Sequence, residues 1–287
     1  MRLNLRCHTG GNDGRDKTIR STGSSLGDMS QADVFVKRNS AAPRGFFAAE
    51  AAGLTWLRVD GGVDCVRVLD CDAASLTLQR LEPAPPTAEA ARDFGRRLAV
   101  THNTGARGFG AGPDGHDGPG FFGPMSEPLP MSLNPHNSWD EFYAVERLRP
   151  MAELAAPRLS SSAREAIDRV IELCAAGTFD DGDVPCRLHG DLWSGNVMWT
   201  PAGVVLIDPA AHGGHRETDL AMLALFGCPF LGEVLEGYRS VQPLRPGWQD
   251  RVGLHQLYPL LAHVVLFGGG YATQTHRAVA SVLTTYG

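Results

Sequence analysis

The pattern of hydrophobic and polar positions divides the chain into a strand-rich first part and a helix-rich second part. Four short stretches with apolar or alternating character predict strands, at residues 17–22, 33–38, 63–69 and 75–81. Between them, residues 42–58 carry an apolar stripe at helical spacing and predict a helix. Prolines at positions 83, 85 and 86 then interrupt the pattern and predict a linker, because proline can neither continue a strand ladder nor lie inside a helix.

After the linker the pattern is mostly helical. Two serines precede a glutamate at the spacing of a capping box, Ser138 with Glu141 and Ser162 with Glu165, and each pair predicts the start of a helix. Residues 104–137 are rich in Gly and Pro and predict a largely irregular segment. We therefore predict an α+β protein with a small β-rich N-terminal lobe at residues 1–82 and a larger, mainly helical C-terminal lobe at residues 83–287.

Composition and charge narrow the function classes. The chain has 287 residues, of which 43% are hydrophobic and 20% charged, and a net charge of −6. This acidic balance disfavours nucleic acid as a partner. The longest apolar run, Tyr258–Phe267, is too short to cross a membrane and contains His263. The polar N-terminus shows no signal peptide, and six cysteines without a CxxC pair predict reduced thiols, so we expect a cytoplasmic protein.

The strongest chemical signal is the segment His189–Asn196, followed by the apolar segment 204–207 and Asp208. Phosphoryl transfer needs cations on the phosphates and an oriented nucleophile rather than covalent help from the protein. Asp191 is the predicted catalytic base, which takes the proton of the attacking hydroxyl. Asn196 and Asp208 are the predicted Mg²⁺ ligands, because this hard cation prefers oxygen. The alternative is a polar loop whose side chains only satisfy turn backbone.

A second signal lies in the first part of the chain. Lys37 follows three apolar residues of a predicted strand, and Glu50 lies on the helix after it. In kinases, a strand lysine holds the α- and β-phosphates of ATP and pairs with a glutamate on the following helix. We predict that Lys37 and Glu50 form this pair, and the alternative is that both are ordinary surface residues.

The Gly/Ser-rich segment Gly23-Ser24-Ser25-Leu26-Gly27 has three interpretations. Its small residues suit a loop that covers the nucleotide phosphates with backbone N–H groups, which makes Gly23, Ser24 and Ser25 candidate nucleotide contacts. It also matches the G-x-S-x-G elbow of hydrolases, but too few strands precede it and a strand rather than a helix follows. A plain turn remains the third interpretation.

Polar and aromatic residues near the catalytic motif are candidate substrate contacts. His212 and His215 lack the further ligands at suitable spacing that zinc requires. We predict instead that His215 and Glu217 face or brace the cleft. Trp139 and Trp193 are expected either to stack on the substrate or to lie in the core.

These motifs resemble one known family. The segment His189–Asn196 is similar to the signature of the fructosamine kinase (ketosamine-3-kinase) family, and so are residues 206–210 and 214–222. Further similarity lies at Phe35–Lys37 with Asn39, at Asn137–Trp139 and at Phe267–Tyr271, so that the resemblance covers nearly the whole chain from about residue 20.

The resemblance implies a bilobal protein-kinase-like fold with ATP and Mg²⁺ in the cleft. It implies phosphorylation of the 3-hydroxyl of a ketosamine, either a small molecule or a glycated protein lysine, after which the adduct decomposes and frees the amine. It also implies that adenine binds at a hinge at residues 79–82, which makes Gln79 and Leu81 nucleotide contacts.

The sequence departs from the family pattern at three places. His212 and Gly213 stand where aromatic residues are expected, which leaves the shape of the cleft there open. Residues 23–29 lack the double glycine and the cysteine expected there, and the loop 111–136 matches poorly, which leaves substrate specificity open. Two alternatives therefore remain. One is a related kinase for an aminoglycoside, a choline-like alcohol or another sugar, and the other is an inactive nucleotide-binding sensor.

Overall fold

A three-stranded antiparallel sheet begins the described part of the chain. The structure is a computed structural model that describes residues 33–287, so the strand predicted at 17–22 lies outside the described residues. Strand β1 (Val34–Arg38) pairs with β4 (Ser75–Gln79), which pairs with β3 (Val68–Cys71). Leu76 and Leu78 of the central strand are buried on one face of this sheet, as their alternation with polar residues predicts.

Helix α1 (Phe46–Leu57) packs against the buried face of the sheet. It begins four residues later than the sequence pattern predicts. The cause is a turn in which Phe46 N donates to Pro43 O, and in which Gly45 has a left-handed φ of 89° that excludes it from the helix. From Phe46 onward, the apolar residues of the stripe, including Phe47 and Leu54, are buried.

The strand predicted at residues 63–69 is two strands. Strand β2 (Asp64–Cys65) pairs in parallel with β9 (Gly203–Leu206), which also pairs with β8 (Val197–Thr200). Only β3, which starts at Val68, belongs to the first sheet. The first part of the chain therefore contributes a strand to the sheet that carries the end of the catalytic motif.

The remaining chain is mainly helical, as predicted. Its helices are α2 (Ala88–Asn103), α3 (Trp139–Phe142) with a π-helical turn (Tyr143–Leu148), α4 (Arg149–Ala155), α5 (Ser161–Ala175), α6 (Glu217–Leu225), α7 (Leu231–Val241), α8 (Trp248–Phe267) and α9 (Gly270–Tyr286). Ser138 caps α3 by accepting from Glu141 N, which confirms the first predicted helix start. The second was misplaced by two residues, since Ser160 caps α5 by accepting from Ala163 N.

The segment 104–137 contains a β-hairpin that the sequence pattern did not predict. Strand β5 (Gly120–Phe122) pairs with β6 (Leu129–Met131) in antiparallel register. Later in the chain, β7 (Cys186–Leu188) pairs with β10 (His212–Gly214) and brackets the catalytic motif. No helix among residues 33–287 is long and apolar enough to cross a membrane.

Candidate active site

The loop between β7 and β8 holds the predicted base. Asn196 Nδ2 donates to Asp191 O at 2.8 Å and to Asp191 Oδ2 at 3.2 Å, so the amide fixes both the backbone and the carboxylate of Asp191. Gly190 has a left-handed φ of 80°, and a Cβ at this position would lie 2.2 Å from Ala210 O. The turn before Asp191 therefore requires glycine.

Asp219, a buried carboxylate on α6, holds this loop by hydrogen bonds to its backbone. Asp219 accepts hydrogen bonds from His189 N at 2.8 Å and from Gly190 N at 3.0 Å, and it lies 3.2 Å from His102 Nε2. Burial alone would raise the pKa of Asp219, but these donors outweigh burial and lower it. Asp219 is thus an ionised anchor for the two residues that precede Asp191.

Lys37 joins the two lobes by ion pairs. Its Nζ lies 2.7 Å from Glu50 Oε1 on α1 and 2.5 Å from Asp208 Oδ1, which follows β9. Burial lowers the pKa of Lys37, but the two carboxylates outweigh burial and raise it, so the ammonium stays charged. The predicted pairing of Lys37 with Glu50 is present in the structure.

Asp208 has a left-handed φ of 54°, which asparagine and aspartate tolerate better than most residues. This conformation lies directly after the apolar strand β9, and the Asp208 side chain is 43% exposed. Asn196 turns its Nδ2 toward Asp191, so its amide oxygen is turned away from that residue. Asn196 thus has an amide oxygen and Asp208 a carboxylate at one cleft, and both are donor types that suit Mg²⁺.

All five predicted catalytic-centre residues line one cleft of about 290 Å³. Its floor is the catalytic loop and the segment after β9, and its walls are α1, the β5–β6 hairpin and the end of α8. The lining residues include Lys37, Glu50, Phe121, Met125, Asp191, Trp193, Asn196, Asp208, His263 and Phe267. The two predicted groups of residues, about 150 positions apart in the sequence, therefore lie together at one cleft.

Asp191 has the electrostatics of a base that works near neutral pH. The pKa of Asp191 is raised to about 7, mainly by burial; the hydrogen bond from Asn196 lowers it, and the neighbouring Asp208 and Asp219 contribute to the rise. A carboxylate with a raised pKa accepts a proton more readily than an ordinary surface aspartate.

Of the predicted substrate contacts, only Trp193 lines the cleft. Its side chain is 39% exposed, and its ring lies 6.0 Å from that of Phe226. Trp139, His215 and Glu217 are buried and do not line this cleft, which agrees with the second alternative given for each, a place in the core or in support of the cleft. Trp139 stacks on Tyr143 with ring centroids 4.8 Å apart.

His215 and Glu217 belong to a buried ion network. Arg251 donates to both carboxylate oxygens of Glu217, at 2.6 and 2.9 Å, and lies 3.0 Å from Asp181. The alternative prediction, that these residues brace the cleft, agrees with this arrangement. His215 and Glu217 can be buried because their polar atoms have hydrogen-bond partners within this network.

His215, Glu217 and His255 lie close enough together to suggest a metal site, but their hydrogen bonds favour a different interpretation. Glu217 N donates to His215 Nδ1, so the proton of the neutral ring is on Nε2, which faces Asp181 at 3.3 Å. The guanidinium of Arg251 donates to both oxygens of Glu217, and its positive charge opposes a cation at the same place. The cluster is therefore an ion network.

The predicted adenine contacts lie at the end of β4. Gln79 Oε1 accepts from Arg67 Nε at 3.0 Å, and Gln79 and Leu81 border a shallow depression rather than the catalytic cleft. Gly23, Ser24 and Ser25 lie outside the described residues. Their roles as nucleotide contacts stay predictions.

Asp219→Asn is expected to lower the free energy of unfolding by about 3 kcal/mol. The carboxylate of Asp219 faces three hydrogen-bond donors, and the NH₂ group of an asparagine would have to face at least one of them, which leaves that donor without an acceptor. Urea unfolding at neutral pH measures this loss. Asp168→Asn, at an exposed position of α5, is the matched control and should change stability by less than about 0.5 kcal/mol. Equal stability of the two variants would contradict the anchoring role of Asp219.

Trp139→Ala and Trp193→Ala are expected to distinguish a tryptophan that packs in the core from one that lines the cleft. Trp139 is 6% exposed and stacked, so its loss should lower the free energy of unfolding by about 4 kcal/mol and leave the KM of folded enzyme unchanged. Trp193→Ala should change stability little and raise the acceptor KM. Chemical unfolding and steady-state kinetics at 15 °C measure both, and a raised KM in Trp139→Ala would restore that residue as a substrate contact.

Comparison with known proteins agrees with this geometry. The family model described as fructosamine kinase matches residues 21–285. The chain belongs to the fructosamine kinase family. A relative from Synechocystis sp., named a probable ketoamine kinase, is 33% identical over 255 residues, which cover 87% of this chain and 82% of the relative. The ketosamine-3-kinase of Mus musculus is 31% identical, with 88% of this chain and 92% of that protein covered.

A solved structure from Thermobifida fusca, described as a candidate fructosamine-3-kinase, is 43% identical, covers 88% of this chain and 85% of its own, and superposes with a TM-score of 0.80. This member of the fructosamine kinase family is thus a phosphotransferase with the bilobal protein-kinase-like fold, as the sequence resemblance implied.

Two parts of this kinase site were missed by sequence reasoning. The hairpin residues Phe121 and Met125 line the cleft, although their segment reads as irregular. His263 lines it too, and its only sequence signal is that it interrupts an apolar run. Asp219 was part of the matched string, and an acid directly before the apolar residues of α6 is the signal that marks it as a buried anchor.

Proposed function

We propose that the protein transfers the γ-phosphate of ATP to the 3-hydroxyl of a ketosamine, and that the phosphorylated adduct then decomposes and releases its amine. One observation carries this proposal. Asp191, the Lys37–Glu50 pair and Asp208 line a single cleft, in a chain that belongs to the fructosamine kinase family. An inactive sensor would not need all of these groups at one place.

The residues of the cleft divide the work of phosphoryl transfer. Asp191 orients the acceptor hydroxyl and takes its proton as the new O–P bond forms and the bond to the β-phosphate oxygen breaks, with ADP as the leaving group. Lys37, held by Glu50, neutralises charge on the phosphates. Asn196 and Asp208 would hold Mg²⁺, which supplies positive charge to the transferring phosphoryl group when bound.

In this proposal residues 1–82 form the nucleotide lobe and residues 83–287 the catalytic lobe. Gly23, Ser24 and Ser25 cover the phosphates, and Gln79 and Leu81 border adenine at the hinge. The cytoplasm is the proposed location, because it supplies ATP and keeps thiols such as the five free cysteines of the described range reduced.

The charge of the cleft supports a ketosamine rather than a polycationic aminoglycoside as acceptor. Among the described cleft residues the carboxylates are Glu50, Asp191 and Asp208, and each already has a role in the transfer. No further acid lines this part of the structure to bind additional ammonium groups. The exposed aromatic ring of Trp193 suits stacking on a sugar or on an apolar amine substituent.

A substrate panel tests the proposal. Ribulosamines, fructosamines, an aminoglycoside, choline and the parent sugars would compete for Mg-ATP in one reaction, with products quantified by mass spectrometry. We expect the ketosamines to have the highest kcat/KM. Preferential phosphorylation of choline or the aminoglycoside would assign the protein to a related kinase activity, and binding of ATP without any transfer would favour the sensor.

A further inference from the structure

The β5–β6 hairpin is shared between two hydrophobic clusters. Phe122, Leu129 and Met131 lie in the cluster formed mainly by the helices of the C-terminal part. Phe121 and Met125 pack instead against the second cluster, which includes α1 and β4. The change of side between Phe121 and Phe122 follows from the alternation of side chains along a strand. The two faces of the hairpin are thus anchored in different clusters.

A side-chain hydrogen bond ties the connection between β5 and β6 to the first sheet. Asn39 Nδ2 donates to Met125 O at 2.9 Å, across 86 residues of sequence. Asn39 Oδ1 accepts from Ala41 N at 2.9 Å, so the side chain is held at both ends of its amide. Asn39 lies two residues after Lys37, immediately beyond β1. Met125 in turn lines the catalytic cleft.

The same hairpin touches the start of α1. The rings of Phe46 and Phe121 lie 5.5 Å apart. Gly45, the residue before α1, packs so closely that an added Cβ would lie 3.2 Å from Pro119 Cδ. Phe46 of α1 and Asn39, the residue that follows β1, therefore both contact the segment 119–125.

On its other side the hairpin contacts the catalytic lobe. The ring of Phe122 lies 5.1 Å from that of Tyr258 on α8, and a Cβ on Gly123 would lie 3.1 Å from Leu266 Cδ1. The hairpin therefore spans the cleft as a non-covalent bridge between lobes that are joined covalently at the proline-rich linker. Through Asn39 the hairpin is also tied to the chain two residues after Lys37, which lines the same cleft as Asp191.

We propose that Asn39 is a positioning residue for phosphoryl transfer: its hydrogen bond to Met125 O fastens the cleft-lining hairpin to the strand that carries Lys37, and so holds acceptor and phosphates in register. Phosphoryl transfer is sensitive to the distance between the acceptor hydroxyl and the phosphates, because misplacement by about 1 Å can cost about 10²-fold in rate. The bond is made by a side chain to a main-chain oxygen, so the sequence of the hairpin tip can vary while Asn39 still holds it.

Asn39→Asp tests the bond with little change of shape. Aspartate can still accept from Ala41 N, but it cannot donate to Met125 O. Asn137→Asp, at an exposed position of the catalytic lobe, makes the same change of charge and serves as the control. The catalytic part of this test rests on the proposed function, whereas hydrogen exchange of the hairpin peptide 120–131 does not.

With a ketosamine acceptor, Asn39→Asp is expected to lower kcat/KM about tenfold, while Tm stays within about 3 °C of the wild type. The peptide 120–131 should exchange faster in Asn39→Asp than in the wild type or in Asn137→Asp. A fall in Tm with unchanged kcat and KM would mean a merely structural bond and would overturn the proposal.

The two proposals fail in different ways. If the wild type phosphorylates no ketosamine, the proposed function fails, and the exchange experiment still decides whether Asn39 fastens the hairpin. Faster exchange of residues 120–131 in Asn39→Asp would then support the coupling between the lobes. Unchanged exchange would reject it, whichever acceptor the enzyme uses.

Discussion

Asp191→Asn is expected to lower kcat by about 10³-fold while leaving the fold and the binding of Mg-ADP intact. An amide is close in shape to the carboxylate and can still accept from Asn196 Nδ2, so the loop should keep its conformation. It cannot take the proton of the acceptor hydroxyl, and loss of a general base typically costs 10²–10⁴-fold. Single-turnover transfer from radiolabelled ATP measures the loss.

Asp191→Glu is the companion variant. It restores a carboxylate but moves it by one methylene, so partial recovery of kcat, still about 10-fold or more below the wild type, is expected. Thermal shift with Mg-ADP provides the folding and nucleotide control for both variants. If Asp191→Asn kept more than a tenth of the wild-type kcat, another group would have to be the base.

Asp208→Asn is expected to have the second large effect, a fall in kcat/KM of about 10³-fold together with a higher Mg²⁺ concentration for half-maximal rate. Asp208 is the only carboxylate among the two proposed metal ligands, and it also pairs with Lys37 at 2.5 Å. Neutralising it removes the charge that a hard divalent cation prefers. Mg²⁺ titration of the initial rate measures both changes.

Two controls separate the metal from the ion pair. Glu50→Gln weakens the hold on Lys37 but leaves the proposed metal ligands in place, so it should lower the rate without shifting the Mg²⁺ requirement. Asp70→Asn, at an exposed position of β3, makes the same substitution away from the cleft and should change neither quantity. An unaltered Mg²⁺ requirement in Asp208→Asn would remove Asp208 as a metal ligand.

The proposed catalytic centre was readable from sequence because its residues lie in two short stretches of the chain with a motif-like spacing. Asp191, Asn196 and Asp208 fall within 18 positions, where a loop and a short hairpin determine their geometry locally. Lys37 and Glu50 lie on an adjacent strand and helix of the first lobe. The structure brings the two groups together through the ion pair between Lys37 and Asp208.

The misplaced residues have their causes in tertiary contacts. His215 and Glu217 lie close to the motif in sequence, which predicted a place at the cleft, but Glu217 is held inside by Arg251, 34 residues later. No local pattern announces that partner. Trp139 was equally suited to core or cleft, and its stacking on Tyr143 places it in the core.

The hairpin of segment 104–137 was missed because its strands are three residues long and include Pro130. Such short strands carry too few residues for an alternating pattern to be recognised, and proline lowers the expectation of a strand. Their stability comes from packing between the two clusters rather than from local propensity. That packing also gives the hairpin its place on the cleft, which no motif marks.

The most direct test of the central claim is the product formed from Mg-ATP and a fructosamine or ribulosamine, followed by ³¹P and ¹H NMR. The wild type should convert the ketosamine to a single monoester whose phosphorus couples to the proton at C3, with one ADP formed per monoester, and Asp191→Asn should form about 10³-fold less in the same time. Phosphate on another position, or equal product from the wild type and Asp191→Asn, would contradict the account.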